Sequence, residues 1–459
     1  MTLLSQIKDM VGPNGWVDAD ALKDRPVDFW NNTPTIALGL AKPADATQLS
    51  RILSLCNEAL QPVIVEGGRT NLVKGTLGDA RTLLISLERL NHIGEPDDNA
   101  LVIEVEAGAI IEQVQAVCAD AELRFGLDFG ARGSATIGGA LSTNAGGFQA
   151  LRYGVARDQV LGLESVLADG TVLSHLTSYA KDNTGYDLKH LLIGSEGTLG
   201  VITKAIIKLH PKPQSLQTAL LAFNSFDDVT RTLSSFRRRL NGTVSAFELM
   251  WQEFYKFNVD ALLQGRAPLS AEHPYYVLCE VEGFVPDSDA GTFEAMIEEL
   301  FEQALIVDAV IAHSERQRRE LWRIREEFEE EIHVFKAMVD FDVSLPLRSI
   351  GTFAEKVRVA LDEHFPEHLG IHILAHLGDG NVHVTTGLPV ADRKSELKDC
   401  VYRIIASNGG SISAEHGVGL AKKDYLHYSR TDAELAVMRR LKTALDPNNI
   451  LNPGKVLAV

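Results

Sequence analysis

PVIVEGGRTNLVKG, residues 62–75, decides the fold of the first half of the chain. It opens on an apolar, β-branched run, a composition that packs well on a pleated surface, and it ends at Gly67-Gly68. Without Cβ atoms the glycines let the backbone pass close to another group, and successive N–H groups in such a turn can cradle a phosphate. A tight strand-to-loop turn with no ligand satisfies the same residues. The spacing is not G-x-G-x-x-G, which excludes a Rossmann dinucleotide turn. A serine-hydrolase elbow is excluded too, because Ser195 in IGSEG lacks the glycine two positions before it.

Two further glycine-rich tracts follow, GARGSATIGGALSTNAGG (130–147) and KDNTGYDLKHLLIGSEGTLGVIT (181–203). Three such tracts in one region fit backbone crowded against a long, polyphosphate-bearing cofactor better than they fit packing alone. Around them LVIEVEAG (101–108) reads as a strand, IIEQVQAVCADA (110–121) as a helix and VITKAIIKL (201–209) as a strand. His210-Pro211-Lys212-Pro213 is a stiff break, since proline disfavours helix at the preceding residue. The expected organisation is therefore a short helical lead-in over 1–34, ending near Trp30-Asn31-Asn32, and a first domain over 35–213.

A second domain is expected over 214–440. TALLAF (218–223), SAFELM (245–250), YYVLCEVEG (275–283) and ALIVDAVIA (304–312) alternate with helical stretches near 226–240 and 288–305. That order predicts an antiparallel sheet covered by helices, an α+β cap. Residues 441–459, with Asn452-Pro453-Gly454, are expected to return to the first domain. The fold class is α+β in two domains.

Bulk properties bound the function. A chain of 459 residues exceeds one ordinary core. Its formal charge of −18 argues against nucleic acid and anionic lipid surfaces as partners, because both need clustered Lys and Arg. An anionic substrate must be met by local cations or a metal. Cys56, Cys118, Cys279 and Cys400 form no CxxC pair and read as reduced, mostly buried thiols. With no signal-peptide core and no run of roughly 18 apolar residues, the expected compartment is the cytoplasm.

ILAHLGDGNVH (373–383) carries the chemistry of the second half. Asp379-Gly380 predicts a two-residue type I′ hairpin turn, which needs φ > 0 at both positions. Residues whose numbers add to 759 then face each other, so His376 opposes His383 and Leu377 opposes Val382. Opposed Cβ atoms lie roughly 4.5–5.5 Å apart, close enough for two imidazoles to share a divalent metal, although a structural pair of strand histidines satisfies the same pattern. GGSISAEHGVG (409–419) sets an acid, Glu415, beside a base, His416, between glycines; a surface pair is the alternative. In RRELWRIREEFEEEIHVF (318–335), Leu321, Ile324, Phe328 and Ile332 form an apolar stripe at helical spacing, with most charges on a solvated face.

VEGGRTN, IGGALSTNAGG, YGVARDQVLGLESVLADG and KDNTGYDL…IGSEGTLGVIT stand in the order and spacing of vanillyl-alcohol-oxidase type flavoproteins. Over nearly its whole length the chain resembles the D-lactate and D-2-hydroxyglutarate dehydrogenase branch of that group. The resemblance implies a vanillyl-alcohol-oxidase type FAD-binding domain with an antiparallel α+β cap. It places the FAD pyrophosphate on a turn containing Glu66, Gly67, Gly68, Arg69, Thr70 and Asn71. It lines the rest of the cofactor with Ser134, Gly138, Gly139, Thr143, Asn144, Gly146, Gly197, Ile202 and Asn452. Relatives that bind FAD covalently use a histidine in the first turn; Arg69 stands in that region and no histidine does, so non-covalent FAD is expected.

The same resemblance assigns the second half. H-x-G-D-G-N-x-H implies metal ligands His376 and His383, and E-H-G implies ligand Glu415 and catalytic base His416. Two histidines and a carboxylate with open positions suit zinc, with manganese second. The implied reaction oxidises a D-2-hydroxy acid. The metal binds the C2 hydroxyl and a carboxylate oxygen, His416 takes the hydroxyl proton, and the C2 hydride passes to flavin N5. An electron acceptor (electron-transfer flavoprotein, quinone or cytochrome) must reoxidise the flavin, and a homodimer is expected. Arg325, in LWxxRE, is the implied grip on the substrate carboxylate, for which the planar guanidinium is best suited. Three substrate-side positions depart from relatives that oxidise D-2-hydroxyglutarate: Glu329 replaces Thr, Asp340 replaces Lys and Thr385 replaces Asn. The two acids would repel a second carboxylate, though Arg325, one helical turn before Glu329, offers it an i,i+4 partner. The competing readings are a metal-independent carbohydrate or glycolate-type flavin oxidase and a non-catalytic flavin-binding subunit of a larger complex.

Overall fold

Val63–Glu66 is the strand expected from the opening stretch, and it anchors a four-stranded sheet in the order Trp16–Asp18, Gly39–Ala41, Leu83–Ser86, Val63–Glu66. The first pair runs antiparallel and the other two pairs parallel. The computed structural model describes residues 1–30, 33–240, 242–263, 265–327 and 329–458, without the side chain of Glu329. Asn31, Asn32 and Phe328 thus lie outside the described residues, as does the Glu329 side chain. The chain divides into two units. The first comprises Met1–Gly147, Gly154–Lys212 and Glu415–Val459, and the second Phe148–Tyr153 and Pro213–Ala414.

In the first unit, the strand Leu83–Ser86 is buried throughout, as a parallel strand covered on both faces must be. The helix Ala46–Glu58 starts where Asp45 accepts the Gln48 N–H at 2.8 Å, an N-cap worth about 1 kcal/mol. Its buried stripe of Leu49, Ile52, Leu53 and Cys56 packs with Val63, Leu83 and Ile85. A second, antiparallel sheet runs in the order Val102–Glu106, Val201–Lys208, Val160–Val166, Val172–His175. The end of the chain adds to the first sheet: Val63 N–H donates to Ile450 O at 2.8 Å, and Asn452 N–H donates to Val63 O at 2.9 Å.

The second unit is built on seven antiparallel strands in the order Asp308–Ile311, Ser215–Phe223, Tyr275–Gly283, Val244–Trp251, Ile371–His376, Asn381–Leu388, Ala337–Ser344. Every residue of the central strand Val244–Trp251 is buried. The helix Phe226–Arg239, capped by Ser225, has Asp227 and Asp228 in its first turn and Arg237, Arg238 and Arg239 in its last, each favourable to the helix dipole. The inserted segment 148–153 is tied to the sheet through Glu282, which accepts from Tyr153 Oη at 2.6 Å while its carbonyl accepts from Arg152 Nη1 at 2.7 Å.

One expected helix is two. Residues 318–335 are divided between Glu315–Glu326 and Glu329–Val334, with Glu327 extended between them. Buried Asn258 causes the break, donating from Nδ2 to Ile324 O at 2.8 Å and Glu327 O at 3.0 Å and so taking carbonyls that a continuing helix would use. The apolar stripe stops there, and Ile332 is 41% exposed. Arg325 and Glu329 are therefore not an i,i+4 pair of one helix. No helix among the described residues is long and apolar enough to cross a membrane.

Candidate active site

Crowding explains Gly67, Gly68 and Gly138 of the first unit, and the neighbour is the protein itself. A Cβ on Gly68 would stand 2.0 Å from Ser134 O, and one on Gly67 2.4 Å from Thr136 Oγ1. Gly138 is equally tight against Ala107, at 2.6 Å. The glycines let the turn after Val63–Glu66 seat directly on the 134–139 segment, where Thr136 caps the short helix Ile137–Thr143. Several side chains expected on the cofactor are occupied in holding these loops. Asn71 accepts from Gly75 N–H at 2.9 Å and donates to Val27 O at 3.3 Å. Thr143 bonds back to Gly139 O, and Asn144, left-handed at φ 54°, accepts from Arg157 N–H at 2.9 Å. Asn452 joins two loops, accepting from Val65 N–H at 3.0 Å and donating to Glu196 O at 2.6 Å, close against Gly197. Ile202 lies in the core. These residues are left with backbone, not side-chain polar groups, to offer a cofactor.

Arg69 fits an anionic group. It is left-handed at φ 58°, and its buried Nε has no hydrogen-bond partner. Burial lowers the Arg69 pKa, and the neighbouring Arg25 lowers it further. Glu66 is also buried; burial raises its carboxyl, and Arg25, which donates to it from Nε at 2.8 Å, opposes the rise. Ser195 Oγ, in the 194–197 loop, is a second buried atom without a partner. A guanidinium and a hydroxyl with unused donors in two glycine-rich loops suit a phosphate-bearing cofactor. Thr70, beside Arg69, is partly buried, and Ser134, in the 130–147 tract, is exposed.

Glu415 and His416 are also in the first unit, both partly buried. A Cβ on Gly146 would meet Glu415 Oε1 at 3.3 Å, so Glu415 lies against the end of the second glycine-rich tract. The segment after His416 is pinned by Glu196, which accepts from Val418 N–H at 2.7 Å and Gly419 N–H at 2.8 Å. Burial pushes the Glu196 carboxyl up, and the two amides counter only part of that.

In the second unit the hairpin register differs from the expected one. His376 pairs with Asn381 and Leu374 with His383, and the loop holds four residues, 377–380. Only Gly380 has positive φ; Asp379 instead accepts the Asn381 N–H at 3.0 Å, so the type I′ requirement is not met. The histidines are diagonal rather than opposed, yet they share a face of the sheet with ring centroids 5.3 Å apart. Nitrogen atoms of the two rings come within 4.8 Å of each other.

That face carries more than the two histidines. Asp342, wholly buried, is the register partner of His383 and accepts from Asn381 Nδ2 at 2.9 Å and Ala414 N–H at 3.2 Å. Ala414 is the residue before Glu415. Asp340, Thr385 and His372 make the next cross-strand row. His372 is paired with Glu331 among Phe257 and Phe335. Glu248 lies beside His376 on the neighbouring strand and accepts from Arg325 Nε at 2.8 Å. Burial alone would raise the Glu248 carboxyl, but His376 and Arg325 hold it below its usual value. Phe148 covers both partners, 5.6 Å from the guanidinium and 5.7 Å from the imidazole. Arg325, His376, His383, Asp340 and Thr385 thus fall within one unit. Sequence reasoning missed Glu248, Asp342 and Glu196.

Glycine loops with unused phosphate donors beside a two-sheet core, and a separate helix-covered antiparallel sheet with polar groups on one face, define a two-domain FAD-linked oxidoreductase of the vanillyl-alcohol-oxidase type. Residues 37–175 match the family model described as FAD binding domain, and residues 212–456 match the one described as FAD linked oxidases, C-terminal domain. A Bos taurus protein named D-2-hydroxyglutarate dehydrogenase, mitochondrial, is 38% identical over 96% of this chain and 80% of its own. A Schizosaccharomyces pombe protein with the provisional name D-lactate dehydrogenase, mitochondrial, is 38% identical over 95% of this chain and 84% of its own. The solved structure of p-cresol methylhydroxylase, 15% identical, superposes with a TM-score of 0.75 over 99% of this chain and 96% of that one, which is a likeness of fold. The chain belongs to the FAD-linked oxidases, in the branch of the D-2-hydroxy acid dehydrogenases. The expected cytoplasmic compartment is overturned by these matches, since both relatives carry mitochondrial names.

Proposed function

We propose that this enzyme oxidises a D-2-hydroxy acid to the 2-oxo acid with non-covalent FAD and a divalent metal, zinc before manganese. The observation that carries the reading is the pair His376 and His383 on one sheet face with Arg325 alongside, in a family whose relatives are named for D-2-hydroxy acids. The ligand set carried over from the motifs is His376, His383 and Glu415. When bound, FAD accepts the hydride and the metal acts as a Lewis acid on the substrate hydroxyl. Arg325 grips the substrate carboxylate, His416 removes the C2 hydroxyl proton, and Phe148 keeps water from the guanidinium. A separate acceptor, an electron-transfer flavoprotein, quinone or cytochrome, is needed to reoxidise the flavin.

The row of Asp340 and Thr385 bears on the far end of the substrate. An anion about 6–8 Å from Asp340 meets a repulsion of about 2–3 kcal/mol at an effective dielectric near 20. Small or uncharged D-2-hydroxy acids such as D-lactate are therefore expected to exceed D-2-hydroxyglutarate in kcat/KM by about 30–100-fold, and Asp340→Lys should narrow that gap. The test is anaerobic bleaching of bound flavin over a panel of D- and L-2-hydroxy acids, with metal content measured before and after chelation. D-specific bleaching lost on chelation supports the reading. Equal bleaching by sugars in metal-free protein would favour the carbohydrate oxidase, no bleaching at all the non-catalytic subunit. A native preference for D-2-hydroxyglutarate would remove Asp340 from the specificity argument alone.

A further inference from the structure

Glu248 is an acid in the middle of a fully buried strand, and both of its oxygens are spent on two residues of the proposed site. His376 Nδ1 lies 2.9 Å from Oε1 and 2.8 Å from Oε2. Arg325 brings Nε to 2.8 Å and Nη2 to 2.7 Å of Oε2. A carboxylate in such a place is retained only with partners that satisfy its charge and lone pairs, and these two do so. Their own geometry is fixed in return. With Nδ1–H donated to a carboxylate, Nε2 becomes the nitrogen that carries the acceptor lone pair. Arg325 Nη2 lies 3.5 Å from Nδ1 and 3.3 Å from Nε2. A donor on the Nε2 lone-pair axis would be much farther from Nδ1, so the near-equal distances set the guanidinium beside the ring. The Arg325 edge that faces Glu248 is Nε and Nη2, and Nη1 bonds to no described residue.

We propose that Glu248 is a positioning residue that orients two groups at once: His376 with Nε2 presented to the metal, and Arg325 with its Nη1 edge presented to the substrate carboxylate. The proposal rests on the metal-dependent reading above. One buried carboxylate then sets the spacing between the metal and the carboxylate grip, the two points that fix a 2-hydroxy acid.

The test uses purified holoenzyme and Glu248→Gln, which keeps the shape but offers an N–H where an acceptor is required. The expected result is a Zn²⁺ dissociation constant raised about 10–100-fold, the usual effect of losing such a partner. The visible spectrum of the Co²⁺-substituted enzyme should shift, and FAD content should stay unchanged. KM for the hydroxy acid should rise along with a fall in kcat, because grip and metal are both disturbed. If the unpaired Arg325 charge prevents folding, the double variant Glu248→Gln/Arg325→Met removes both charges, and its Zn²⁺ affinity must still fall. Wild-type Zn²⁺ affinity and cobalt spectrum in whichever variant folds would overturn the proposal and leave the metal reading intact. Wild-type protein that binds no Zn²⁺ and turns over regardless of chelation would instead overturn the reading on which it rests.

Discussion

Replacing Gly68 by alanine would put a methyl group 2.0 Å from Ser134 O, 2.8 Å from Ser134 C and 2.9 Å from Ala135 Cα. All three atoms are backbone, so no rotamer change relieves the contact. Real Cβ atoms essentially never come closer than 3.0 Å, and the two loops must therefore part by about 1 Å. Overpacking typically costs about 1–3 kcal/mol, and a backbone obstacle belongs at the upper end. For a domain of about 150–250 residues each 1 kcal/mol lowers Tm by about 2–4 °C, which gives a fall of about 6–12 °C. The measurement is thermal unfolding of protein stripped of flavin and of protein reloaded with FAD. Both should drop, because the clash lies within the protein. Gly130→Ala, in the tract that carries Ser134, meets nothing within 4 Å and should stay within about 0.5 kcal/mol of wild type. A stripped Gly68→Ala protein that melts within about 2 °C of wild type while losing FAD affinity would refute the reasoning. It would restore the first reading of the tract, in which the glycines make room for the cofactor itself.

Acid precipitation should release intact FAD into the supernatant, as the 66–71 turn holds Arg69 and no histidine; yellow colour retained in the pellet contradicts this. His416→Ala should keep metal and FAD and lose about 10²–10⁴ in turnover, the usual range for a general base, and near-wild-type turnover takes His416 out of the mechanism. Burial pushes the Cys56 and Cys118 thiols up to about 12 and the Cys279 thiol higher still, so at pH 8 almost none of the three is thiolate. Only the partly exposed Cys400 should react with a disulfide reagent in native protein, and rapid reaction of a second thiol shows that a buried one is accessible.

How much of the site was legible follows from the range over which each signal acts. Strand and helix periods are local, and TALLAF, YYVLCEVEG and 226–240 form the elements their patterns predict. The hairpin shows the limit. Asp379-Gly380 predicted a two-residue turn, and the chain makes a four-residue loop in which Asp379 uses its side chain instead of positive φ. The error moved the register by two, and a pleat repeats every two residues, so His376 and His383 stayed on one face; a slip of one would have sent them to opposite faces. The second helix failed for a different reason. Its stop signal is Asn258, more than sixty residues upstream, and no pattern within 318–335 announces it. Glu196, Glu248 and Asp342 were missed for the same cause. Glu248 lies 128 residues from His376, and SAFELM reads as an apolar strand with a stray acid. The stray acid was itself the signal. Asp and Glu are almost never fully buried unless paired, so an acid on a strand apolar on both faces implies a distant cation or imidazole. Applied to SAFELM, that rule singles out Glu248 before any partner is known, and its partner His376 is one of the residues that the histidine motif had already marked.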